Sequence, residues 1–173
     1  VPDAPGLELI RGEIERDHPG AVLATSFDRG QAALIADPEQ ILEVLRWLRE
    51  EPGHRYRFLS SLHGVDYLPA DPRFAVHYEL LNRDRVERVR VKAMLADPAA
   101  EDALPAIDSC VELFPTANFQ EREVYDFFGI VFRGHPDLTR ILLPDDYVGW
   151  PQRRDFPVGG EPVTFTYNER RYG

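Results

Sequence analysis

Four side chains able to bind a metal or move a proton fall close together in the chain: Glu121, Glu123, Asp126 and His135. A carboxylate–histidine group of this kind could hold a divalent ion or act as general acid and base in a hydrolysis. Their spacing argues against a shared site. On a helix, residues two apart point to nearly opposite sides, so Glu121 and Glu123 do not converge on one ion. Arg122 stands four residues before Asp126, and a helical ion pair at that spacing neutralises a carboxylate rather than activating it. The favoured expectation is therefore an ion-pair network. The competing one is a stand-alone metal-dependent hydrolase built on these four residues.

Other reactive residues are scattered. His63 and His77 fall in expected strands and could be ligands, although isolated histidines in strands are more often packed or hydrogen-bonded. Cys110, the single cysteine, suits a core thiol; no disulfide within the chain and no cysteine-ligated iron–sulfur cluster is expected. Arg153-Arg154-Asp155 could grip a phosphate, but the adjacent Asp and the lack of a Gly-rich loop favour a protein carboxylate as its partner. Gly159-Gly160 is too short for a nucleotide loop, and no dinucleotide or phosphate-loop fingerprint occurs. No catalytic centre is visible.

The elements that would position these groups read as follows. A first helix is predicted over about Leu7 to Asp17, and a hairpin over Ala21–Phe27 and Gln31–Ala36 around Asp28-Arg29-Gly30. Asp37-Pro38-Glu39-Gln40 starts a second helix, with Asp as cap, Pro first and Gln closing a capping box; Pro52-Gly53 ends it. Three strands follow: Tyr56–Tyr67, a run alternating through Phe74 to Leu80, and one through Arg88 to Ala93, the last two joined at Asn82-Arg83-Asp84. A helix from about Pro105 to Leu113 and another from Phe119 to Phe128 complete the order, the latter capped by Asn118 with Glu121 reciprocating and ended by Gly129. This is an α/β (α+β) two-layer domain with a mixed sheet in αββαβββαα order, assigned to residues 1–132.

Residues 133–173 are different in kind. Gly134, Pro136, Pro144, Gly149, Pro151, Pro157 and Pro162 break every period, yet Leu138, Ile141, Leu142, Leu143, Trp150, Phe156 and Phe165 make the segment too apolar for a free linker. It reads as a long extended docking arm whose apolar side chains need another surface. Charge divides the same way. Six basic and six acidic residues lie after Phe132, out of 20 and 30, so the whole net charge of −10 sits in the body. A body this acidic repels nucleic-acid phosphates and anionic lipid heads. No run of about 18 apolar residues is present to span a bilayer. The chain begins Val1-Pro2-Asp3, without a signal-peptide pattern and without Met, as a trimmed or partial chain would.

One run carries a family likeness. Glu121-Arg122-Glu123-Val124-Tyr125-Asp126-Phe127-Phe128-Gly129-Ile130, then Gly134-His135-Pro136-Asp137-Leu138 and Arg140-Ile141-Leu142, resembles the signature of the 30 kDa-type subunit of respiratory complex I, known in the bacterial NADH:quinone oxidoreductase as its C subunit. Pro144-Asp145-Asp146-Tyr147, Gly149 and Arg153-Arg154-Asp155-Phe156-Pro157 continue it, and Val65-Asp66-Tyr67 is similar but less specific. The resemblance implies a structural core subunit of the hydrophilic arm of a proton-translocating enzyme, peripheral on the cytoplasmic face of the bacterial inner membrane. It implies no cofactor in this chain, with flavin, iron–sulfur clusters and quinone in partner subunits. Its implied partners are the large quinone-proximal subunit and neighbouring iron–sulfur subunits, with no nucleic acid and no membrane contact of its own. On that footing Glu121, Arg122, Glu123, Asp126, His135, Arg140, Arg153, Arg154 and Asp155 are partner-interface residues rather than catalytic ones. The equivalent subunit of a membrane-bound hydrogenase or ferredoxin-dependent complex is the alternative parent.

Overall fold

A computed structural model of the chain describes residues 1–98 and 103–157. Helix α1 (Ala4–Asp17) starts where the Asp3 carboxylate accepts the Gly6 N–H at 2.8 Å, and it buries Leu7, Ile10 and Ile14. Strands β1 (Val22–Asp28) and β2 (Gln31–Ala36) form the expected hairpin. Asp37 accepts the Glu39 N–H, capping a 3₁₀ turn over Pro38–Gln40 that feeds helix α2 (Ile41–Glu50). The Asp-Pro start was legible; Gln40 makes no side-chain cap, so the expected capping box is absent.

Strands β3 (Phe58–Asp66), β4 (Phe74–Asn82) and β5 (Glu87–Leu95) complete a five-stranded sheet in the order β1-β2-β5-β4-β3. The β2–β5 pair is parallel and the others antiparallel, which is the mixed sheet expected. Alternation gives β2, β4 and β5 an inward row: Leu34, Val76, Tyr78, Leu80, Val89 and Val91 join Leu7, Ile14, Leu45 and Val124 in one core under the helices. The other face carries Ser61, His63, His77, Glu79, Arg90 and Lys92, matched across strands by register.

The end of the body corrects the sequence reading. No helix covers Pro105 to Leu113. Strand β6 (Ala106–Asp108) pairs in parallel with β7 (Val131–Arg133), and one tight turn follows at Cys110–Phe114. Ile107, Cys110 and Leu113 are all buried, and their three-residue spacing imitates a helix face. The backbone instead bonds to a strand more than 20 residues downstream, and that pairing overrides local pattern. Helix α3 (Ala117–Phe128) starts two residues before the expected position, with Thr116 rather than Asn118 at its cap and without the Glu121 capping box. Gly129 ends it at φ +69°, as expected. Gly64 lets α3 sit on β3: a Cβ there would lie 2.8 Å from the Phe128 ring and 3.0 Å from Val124.

Candidate functional site

The chain after β7 returns onto its own body. Residues 134–157 contain turns and bends, with neither helix nor strand, and are fastened at two buried carboxylates. The later part of the expected arm, residues 158–173, lies outside the described residues.

Asp126 of α3, with no exposed surface, is the first fastening point. Arg140 donates through Nη1 to its Oδ1 at 2.8 Å and to its carbonyl at 3.0 Å, while the N–H groups of Ile141, Leu142 and Leu143 converge on Oδ2 at 3.1, 2.7 and 2.9 Å. Burial opposes ionisation here, but the three N–H donors and the guanidinium outweigh it and hold the carboxyl below its usual range. Arg140 also donates to the Tyr147 and Gly149 carbonyls, and its guanidinium lies 4.7 Å from the Trp150 ring centroid. The expected Arg122–Asp126 pair is absent. Arg122 instead donates to the Thr139 carbonyl and hydroxyl and to the Arg140 carbonyl. Both arginines serve the returning segment.

Asp66, at the end of β3, is the second point. Arg73 grips it with two parallel bonds of 3.0 and 2.8 Å, and the N–H groups of Leu68 and Arg154 donate at 2.9 and 2.8 Å. Burial pushes its pKa up, yet Arg73 and those N–H groups hold it down at about 2. Arg73 reaches Asp97 at 2.8 Å and Asp155 at 2.7 Å as well, so Asp155 is tied to the body. Arg154 donates to the Leu68 carbonyl and Arg153 to the Phe128 carbonyl, both at 2.7 Å. The Arg153-Arg154-Asp155 run was expected to grip a carboxylate with its side chains. Instead a backbone N–H meets Asp66, and the run's own Asp is the gripped carboxylate.

Between the two points, Trp150 packs edge-on to Tyr125 with ring centroids 5.3 Å apart and covers Gly129. A Cβ on Gly129 would fall 2.5 Å from the indole, so glycine is required both for φ and for this close approach.

The remaining expected site residues lie apart. Glu121 is fully buried on another side of α3, accepting from Ser109 Oγ at 2.6 Å and Cys110 N–H at 2.8 Å. Its pKa is raised because burial outweighs those bonds. Burial likewise pushes the Cys110 thiol well up, so it is not a ready nucleophile. His135 donates from Nε2 to the Asn118 carbonyl at 3.0 Å and accepts the Asp137 N–H at Nδ1. Glu121, Asp126 and His135 thus serve different hydrogen-bond partners and Glu123 is exposed, so the four residues of the hydrolase reading do not assemble a site. Sequence reasoning missed Arg73, Asp97 and Trp150; Asp66 and Arg73 flank a proline-rich turn where no periodicity announces a pair.

The Glu121–Leu142 run, which spans α3 and the start of the fastened segment, has matching relatives. The family described as respiratory-chain NADH dehydrogenase, 30 Kd subunit, matches residues 34–162. The chain belongs to this family. It is 46% identical over 153 residues to the C subunit of the NADH-quinone oxidoreductase of Roseiflexus castenholzii, covering 88% of this chain and 85% of that one. The corresponding C subunit of Herpetosiphon aurantiacus is 46% identical over 142 residues, covering 82% and 80%. Among solved structures, one described as Nqo5 of the trypsin-resistant fragment (1-134) aligns with a TM-score of 0.55 and 32% identity, covering 76% of this chain and 98% of that one. A chain of a membrane-bound sulfane sulfur reductase, an archaeal respiratory membrane complex, gives a TM-score of 0.68 at 22% identity over 95% and 90%, a likeness of fold alone. The complex I-type reading of the signature is borne out. No helix among the described residues is long and apolar enough to cross a membrane.

Proposed function

We propose that the chain is a structural subunit of NADH:quinone oxidoreductase, without an active site of its own, whose fastened C-terminal segment forms the platform for the large quinone-proximal subunit. In this reading it sits on the cytoplasmic face of the membrane through the complex, and flavin, clusters and quinone belong to neighbours. The observation that carries it is the use of the signature residues. Asp126, Arg140, Arg122, Arg153 and Arg154 are engaged in holding residues 134–157 to α3 and β3, not aimed at a shared cleft.

Fastening draws the Arg140 and Arg153 side chains partly inward and leaves two large apolar side chains exposed. Leu142 is 62% exposed and Val148 89% exposed, both on the fastened segment. Exposed apolar side chains held on a rigid backbone suit a partner surface, because their ordering cost has already been met within the subunit. This changes the expected role of Arg122, Asp126, Arg140, Arg153, Arg154 and Asp155: they set the shape of the interface more than they touch the partner. The double variant Leu142→Glu and Val148→Glu tests it. The purified variant should melt like the parent chain but fail to co-purify with the large subunit from membranes. Normal co-purification would contradict the reading.

A further inference from the structure

The sheet face turned away from the helices holds a group that the fastening leaves unused. His63 on β3 and His77 on β4 are directly opposed in register, and Glu79 stands two residues along β4 on the same face. The ring centroids are 5.0 Å apart, and one ligand-capable atom from each of the three residues lies within 4.8 Å of the others.

We propose that His63, His77 and Glu79 form a binding site for one divalent transition-metal ion of the zinc type. Two imidazoles and a carboxylate are a donor set that suits such an ion and leaves a fourth position for water.

The surroundings supply what a ligating histidine needs. Its second nitrogen should be held by another polar group, which fixes the ring and directs the lone pair. The Tyr67 hydroxyl lies 3.3 Å from His77 Nε2, and Ser61 Oγ lies 3.4 Å from His63 Nδ1. His77 is only 6% exposed, and its Nδ1 has no hydrogen-bond partner among the described residues, an unsatisfied acceptor or donor that a bound ion would satisfy. Glu79 and Ser61 also border a surface cleft of about 400 Å³ with Arg88 and Arg90.

Two cations work against it: Lys92, opposite His77 in register on this face, repels a metal ion, and Arg90 occupies a ligand. Arg90 is paired with Glu79, and an ion must displace it from the carboxylate. That competition gives the proposal a signed test. Zn²⁺ titrated calorimetrically into the full chain should bind with one equivalent, and Co²⁺ in its place should give the visible absorption of a four-coordinate ion. His63→Gln, at a half-buried position that tolerates change, should weaken Zn²⁺ binding at least about tenfold, and His77→Gln should do the same. Arg90→Gln should tighten it about threefold by releasing Glu79 from a part-exposed ion pair. Absent saturable binding, or Zn²⁺ affinity unchanged in His63→Gln, would overturn the site. So would weaker binding in Arg90→Gln. If His77→Gln fails to fold, the other two variants still decide.

Discussion

Asp126 and Glu121 sit five residues apart on one helix, and neither has any exposed surface, yet their chemistry is opposite. Asp126 is held below the usual carboxylate range and Glu121 above its own. Burial disfavours both charges equally in kind, so the difference lies in the donors. Asp126 collects a guanidinium and three backbone N–H groups, while Glu121 has one hydroxyl, one N–H and the weak Cys110 thiol donor. The sources of those donors differ too. Those of Glu121 come from the β6 turn and knit the body to itself. Those of Asp126 come from residues 140–143 and bind the returning segment. A buried carboxylate with a full set of donors is a fastener, and one with a partial set is a packed polar residue.

The contrast can be broken most forcefully at Asp126. Asp126→Asn leaves Arg140 buried beside a neutral amide that cannot serve all four donors. The loss should be about 3–5 kcal/mol, seen as a lower urea midpoint and as loss of hydrogen-exchange protection at Ile141–Leu143. Next in size is Gly129→Ala, which puts a methyl group into the Trp150 indole at a positive φ. A cost of about 2–3 kcal/mol should appear together with exposure of the Trp150 fluorescence to quenchers.

Acid should loosen the same fastening. Asp66 and Asp126 have depressed pKa values in the folded chain, so their contribution is complete above the unfolded value of roughly 3.9 and is lost as pH falls through the folded one. For Asp66 that window runs from about 4 down to about 2, and its contribution is of order 2 kcal/mol. Glu121 has the reverse sign, because its raised pKa makes protonation favour the fold. Stability measured between pH 5 and 2 should therefore fall less steeply than the two aspartates alone dictate, and Glu121→Gln should steepen it. At pH 7 Glu121→Gln should shift stability by no more than about 1 kcal/mol, since the amide keeps both partners at lower desolvation cost. A large loss there would erase the distinction between the two carboxylates.

The same contrast marks how far the sequence could be read. Alternation in β4 and β5 and the Asp-Pro start of α2 are local signals with local causes, and they located those elements closely. Glu121 and Glu123 were rightly separated by helical geometry. The Asp126 partner was not legible. An i,i+4 arginine was at hand in Arg122, but Arg140 can reach the carboxylate, two carbonyls and Trp150 together once the chain has turned back. The 105–113 segment failed for a similar reason, since β6 exists only through β7. An apolar, proline-broken tail was recognised as needing a surface. That much of that surface is the chain's own body, at Phe128, Gly129 and Asp66, depends on contacts across as many as 88 positions.

The most direct test of the account is to build Asp126→Asn into the native complex and measure two quantities in the same membranes: the amount of assembled complex and the NADH:quinone turnover per assembled complex. A fastening role predicts less assembled complex with unchanged turnover in what remains. Normal assembly with reduced turnover would contradict it, and would return the Glu121–Leu142 run to the chemistry of the enzyme.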